Sequence, residues 1–294
     1  MIADGVIDIG MVVCACAQFH VVDCCRYMEN ISTQSLLIAL LLTLIAGMGT
    51  GLGAFMSLLP QAREGRFLAG ALGFSAGVML YVSFLDLMPQ AIAEMTGEFT
   101  PHYANMYSIL AFFGGVLLIA LIDFLVPEKD NPHEYNHVEI TPVSKPRSGH
   151  TGMMLALAIG IHNFPEGMAT FISALDGATV AIPIVIAIML HNIPEGIAVA
   201  IPVYNATGSH RKALVWSVLS GFAEPLGAVV GMLFLINVWS PVLNAVLLAA
   251  VAGVMVYIAI DELLPGAESY GHHHITIICV ILGMMLMAAS ILMV

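Results

Sequence analysis

Residues 151–203 read TGMMLALAIGIHNFPEGMATFISALDGATVAIPIVIAIMLHNIPEGIAVAIPV. Within them His162-Asn163-Phe164-Pro165-Glu166-Gly167-Met168-Ala169 recurs 29 residues later as His191-Asn192-Ile193-Pro194-Glu195-Gly196-Ile197-Ala198. Each copy sits inside an apolar run long enough to cross a ~30 Å hydrocarbon core at about 1.5 Å per helical residue, yet carries an acid. On a helix, His and Glu four apart share a face, and the Asn lies three before the same Glu. Each copy therefore presents one nitrogen and two oxygen donors together. The Pro cannot donate to the carbonyl four residues back, so Ile161 and Leu190 lose their usual helical partner, a defect tolerated in membranes where it lines a polar cavity. The Gly after each Glu is expected to keep the approach to that cavity open.

The rest of the chain agrees with a membrane setting. Of its 294 residues 60% are hydrophobic and 10% charged, with a mean hydropathy of +0.95; ordinary soluble domains hold roughly 45–50% and about 25%. A water-soluble globule is excluded. Apolar stretches fall near 35–59, 67–94, 105–126, 151–175, 178–203, 213–236, 240–264 and 274–294. The charge-free stretch between Glu224 and Asp261 must hold two of them, broken near Asn237–Pro241. Gly47, Gly49, Gly51 and Gly53 in the first would let a neighbouring backbone come close. Arg63 and Arg66, then Lys129, Lys145 and Arg147, then Arg211 and Lys212 follow spans one, three and five, and only Arg26 lies on the other side. By the positive-inside rule these three loops are cytoplasmic, giving an all-α protein of eight transmembrane helices with both termini outside.

Residues 1–27 contain Asp4, Asp8, Asp23 and Arg26 and lack a basic n-region and a small-residue cleavage site, so no signal peptide is read there. They are expected to be an upstream extension without a folded role, Met28 being the start of the membrane domain 28–294. Residues 127–150, with four Pro and mixed charge, read as a flexible cytoplasmic linker. The five Cys, four of them in the first 25 residues, do not form a disulfide framework.

No Lys or Arg falls inside a span, but Glu166, Glu195 and Glu224 do. At roughly 2.5–3.5 kcal/mol for each central charge, three unpaired carboxylates cost about 8–10 kcal/mol. Protonation or a bound metal would offset this. A lone buried His or Asn is most often helix-to-helix glue; a duplicated motif built around an acid with no basic partner points to metal instead. The midpoints of spans four, five and six place the ligands at one depth. Three carboxylates suit one divalent ion with charge to spare, or two ions sharing a bridging Glu. Asp86, Asp123, Asp261 and Glu262 lie toward span ends, where an interfacial carboxylate is cheap. The net charge of −12 argues against nucleic acid or anionic membrane surfaces as partners and for cations.

A second repeat pairs AGVMLYVSFLDLMPQA (76–91) with AGVMVYIAIDELLPGA (252–267), setting Met79 against Met255, Tyr81 against Tyr257, Asp86 against Glu262 and Pro89 against Pro265. Spans two and seven cross in opposite directions, so the repeat is inverted, as in many secondary transporters.

Two H-N-x-P-E-G motifs on adjacent spans, with Glu224-Pro225-Leu226-Gly227 on the next, resemble the ZIP (Zrt-, Irt-like) divalent-metal transporters, in particular their bacterial ZupT-like branch, over residues 28–294. The resemblance implies a binuclear mid-membrane site with His162, Asn163, Glu166, His191, Asn192, Glu195 and Glu224 as ligands, Glu166 and Glu195 as bridges, and Met79 as a further ligand. It also implies a multi-pass protein of the bacterial inner membrane, a moving and a static helix bundle, and a homodimer as in several members. The first 27 residues have no counterpart.

His133-Glu134-Tyr135-Asn136-His137 fits H-E-x-x-H, the zinc-protease pattern, but lies between Pro residues in a linker. His133, His137 and His150 suit metal handing there better, and His272–His274 an interfacial cluster. The expectation is therefore an importer, not an enzyme, with no catalytic cofactor and no Walker A loop. Imidazole with carboxamide and carboxylate suits Zn2+ or Fe2+, and also Mn2+, Co2+ or Cd2+. Its partners are these ions and the lipid bilayer. The competing readings are an intramembrane metal-dependent hydrolase with Glu166 as base, and a divalent exporter.

Overall fold

The computed structural model describes residues 33–125, 149–175, 178–238 and 240–292. The N-terminal extension 1–27 and the linker 127–150, except its last two residues, lie outside the described residues, and with them the H-E-x-x-H stretch. The described residues are helical: α1 (Thr33–Met56), α2 (Gly65–Glu98), α3 (Pro101–Leu125), α4 (Gly149–Leu175), α5 (Ala178–Thr207), α6 (His210–Gly221, continuing as Ala223–Val238), α7 (Pro241–Glu268) and α8 (His273–Ile291). Each matches one apolar stretch of the sequence to within a few residues. Among the described residues six of them, α1, α2, α3, α6, α7 and α8, are long and apolar enough to cross a membrane. Local chemistry marks their ends. Ser240 caps α7 by accepting from the Leu243 N–H at 3.1 Å, ahead of Pro241, and Ser209 caps α6 through the Lys212 N–H at 3.3 Å, both ordinary N-cap uses of serine.

The helices pack as two bundles, α1 with α4, α5 and α6, and α2 with α3, α7 and α8. Glycine sets both. A Cβ built on Gly53 would lie 1.9 Å from the Ile193 carbonyl oxygen, and on Gly196 1.9 Å from that of Thr50. In the other bundle, Gly77 stands in the same way 2.0 Å from the Val280 carbonyl and Gly253 2.0 Å from that of Phe112. Wherever an added Cβ would come within 3.0 Å of a neighbouring helix, both helices belong to one bundle. Close backbone packing of this kind is how apolar helices associate in lipid.

The 76–91 and 252–267 repeat has a structural counterpart. Both copies depart from the α-helix at the same register, with π turns at Ser83–Leu87 and Ala259–Leu263, just before Pro89 and Pro265. Gly77 and Gly253, paired in the repeat, pack on α8 and α3 respectively. Gly283 of α8 and Gly115 of α3 pack back on Phe74 and Ala250, again a matched pair. The helices run antiparallel: Asn244, near the start of α7, donates to Glu94 Oε1, near the end of α2, at 2.5 Å. Because α2 and α7 run on to Glu98 and Glu268, Asp86, Asp261 and Glu262 fall within the π turns and not at helix ends.

Candidate metal centre

Helices α4 and α5 continue through Pro165 and Pro194 and bring the two motif copies face to face. The Gly after each Glu does not hold an approach open, contrary to the sequence expectation. A Cβ on Gly167 would meet the Glu224 carbonyl at 2.1 Å, and Gly196 receives the backbone of Thr50. These glycines let α6 and α1 press against the motif, and the first of them places Glu224 beside Glu166.

Asn163, His191, Asn192, Glu195 and Glu224 are fully buried and Glu166 is 2% exposed. His191 Nε2 lies 2.9 Å from Glu166 Oε1 and 3.9 Å from Glu195 Oε1, joining the two copies. Asn192 Nδ2 donates to the Ala46 carbonyl at 3.0 Å and also to Glu224 Oε1. Asn163 Nδ2 donates to the Ser220 carbonyl at 3.3 Å. Glu195 Oε1 accepts from Ser75 Oγ of α2 at 3.0 Å. The side chain of His162 lies outside the described residues. Met79 is fully buried one turn beyond Ser75, in the main apolar cluster with Leu248 and Met255.

Both amides give their N–H2 to the protein and leave their oxygens buried. Asn163 Oδ1, Asn192 Oδ1, Glu166 Oε2 and Glu224 Oε2 are buried with no hydrogen-bond partner among the described residues. Leaving a buried acceptor unpaired costs about 1–3 kcal/mol, more for a charged group. Three acids and two amide oxygens around one imidazole, with no Lys or Arg in α4 or α5 and none in α6 after Lys212, form a cation-seeking donor set. Among the described residues no three His, Cys, Asp or Glu side chains stand close enough to hold an ion as they are. The acids are drawn instead toward His191, Ser75 and Asn192.

Sequence reading missed Ser75 and Ser220. The inverted repeat held a signal for the first, since the position of α7 that pairs with Ser75 is Val251. A polar residue that breaks an apolar repeat marks a local requirement. Two of the other span acids lie in the other bundle with neutral partners: Asp86 accepts from Gln90 Nε2 at 2.7 Å, and Asp123 Oδ2 from the Tyr257 hydroxyl at 3.3 Å.

The sequence profile described as ZIP Zinc transporter matches residues 31–152 and 126–291. The chain is 50% identical over 261 residues to the zinc transporter ZupT of Streptococcus mutans, covering 89% of this chain and 99% of that protein. It is 52% identical over 258 residues to the zinc transporter ZupT of Chlorobium limicola, covering 87% and 97%. The zinc transporter ZupT of Clostridium perfringens matches at 46% over 276 residues, covering 88% and 97%. With the duplicated motif at its centre, the chain belongs to the ZIP family.

Proposed function

We propose that this protein is a multi-pass carrier, not an enzyme, that imports divalent transition-metal ions, Zn2+ first and Fe2+, Mn2+, Co2+ or Cd2+ by the same donor chemistry. The observation that carries this reading is the buried cluster of Glu166, Glu195 and Glu224 around His191, with two unpaired amide oxygens and, among the described residues, no Lys or Arg ion pair to these acids. His162, Asn163, Glu166, His191, Asn192, Glu195 and Glu224 are the ligands, with Met79 at the edge, and two ions share Glu166 and Glu195. The meeting of His191 Nε2 with Glu166 Oε1 at 2.9 Å supports this, because it brings a nitrogen donor of one motif copy and a carboxylate of the other to one buried point.

Eight spans with both termini outside follow from the basic loops together with the lengths of α4 and α5. At 27 and 30 residues these exceed the roughly 20 that a bilayer needs. Transport proceeds by alternating access, the bundle α1, α4, α5, α6 shifting with the ion against α2, α3, α7, α8. What supports this is the distribution of close packing. Glycine-mediated backbone contacts bind each bundle internally, whereas the contact between bundles is made by side chains, which slide at lower cost. Several ZIP transporters are homodimers in the bacterial inner membrane, and the same assembly and location are proposed here.

The test is Zn2+ uptake into proteoliposomes by the wild-type chain and by Glu166→Ala plus Glu195→Ala. Saturable uptake that the double substitution reduces to the protein-free background is expected. Flux that survives both substitutions overturns the proposal.

A further inference from the structure

Several buried hydroxyls return to their own helix, and Ser217 bonds the Gly196 carbonyl inside its own bundle. Thr43 donates to the Ala39 carbonyl, Ser57 to Ala54, Ser83 to Met79 and Thr170 to Glu166, the usual resting place of Ser and Thr in helices. Ser75 does not. Fully buried, it sends its proton across the boundary between the bundles to Glu195 Oε1. That oxygen is also the one nearest His191 Nε2. Packing does not require the hydroxyl, since Val251 occupies the matching place on α7 and is buried as well.

An ion that takes Glu195 Oε1 as a ligand must compete with this donor. A carboxylate oxygen that accepts a hydroxyl in a dry site is a poorer ligand, because its lone pairs already carry a charge-assisted hydrogen bond. We propose that Ser75 is a positioning residue that competes with the ion for Glu195 Oε1, tying Glu195 to the opposite bundle whenever the site is empty and so keeping the site weak enough to unload. The hydroxyl has two seats. It lies on Glu195 in the empty carrier and turns to the Ala71 carbonyl, four residues back, when the ion arrives, the local arrangement that Ser83 already shows. Occupancy of the site is thereby coupled to the bond between the bundles.

This inference rests on the transport reading, and the experiment separates the two. Zn2+ binding by isothermal titration and Zn2+ uptake in proteoliposomes are measured for wild type, Ser75→Ala, Ser75→Cys and Ser75→Thr. Removing the competing donor should lower Kd and KM by about ten- to a hundredfold, the range set by one hydrogen bond to a charged group, and lower kcat because release slows. Ser75→Thr should restore wild-type values, and Ser75→Cys, a weaker donor of similar size, should fall between. Wild-type uptake with unchanged Kd in Ser75→Ala and Ser75→Cys overturns the assignment alone, as does weaker binding, which would make Ser75 a ligand or a packing residue. Wild-type protein that takes up no Zn2+ overturns the transport reading on which it rests.

Discussion

The two bundles treat their acids differently. In α2 and α3 three half-buried acids each have a neutral donor: Asp86 has Gln90, Glu94 has Asn244 and Asp123 has Tyr257. In α4, α5 and α6, Glu166, Glu195 and Glu224 converge on one another and on His191, and Glu166 and Glu224 each keep an oxygen without a donor. An acid satisfied by the protein holds helices together. Fully buried acids massed with unpaired amide oxygens suit, on the proposed reading, a cation that the protein does not supply. On the proposed reading the difference separates half-buried carboxylates that serve packing from fully buried ones that serve cargo.

The largest effect should come from breaking the contrast at its charged side. Glu166→Gln is expected to reduce Zn2+ uptake by at least about a hundredfold, because transport ligands act as a unit, whereas Asp86→Asn, which can still bond Gln90, should stay within a few-fold of wild type in the same assay. Gly196→Val tests the internal packing of the first bundle. Its side chain would collide with the Thr50 backbone, and overpacking of about 1–3 kcal/mol or more should lower the melting midpoint in detergent sharply and with it the yield of folded protein. Asn244→Ala leaves Glu94 without its donor and should destabilise by about 1–3 kcal/mol, with Zn2+ affinity unchanged because the centre lies in the other bundle. Smallest is Gly114→Ala. An added Cβ there meets nothing within 4 Å, so the variant should be neutral or stabilised by up to about 1 kcal/mol, read as an equal or higher melting midpoint.

Much of this was legible in the chain because its signals are local. Runs of about 20 apolar residues mark helices whatever they pack on, and His191 and Glu195 share a face by helical spacing alone. The π turns left a partial trace in Pro89 and Pro265. Contacts between distant segments left almost none. Ser75 and Glu195 are 120 residues apart, and Asn163 and Ser220 57, and no periodicity relates one to the other. Gly167 and Gly196 were misread for the same reason: a glycine beside a ligand looks like open space until the helix that fills it is known.

The central claim is that the three buried glutamates hold the metal. Zinc X-ray absorption on the purified, zinc-loaded chain, together with equilibrium dialysis of wild type and of Glu166→Ala plus Glu195→Ala plus Glu224→Ala, tests it most directly. Nitrogen and oxygen neighbours at about 2.0–2.2 Å are predicted for wild type, with one or two ions bound per chain and none tightly held by the triple variant. A triple variant that binds as many ions, as tightly and with the same zinc spectrum as wild type, would contradict it.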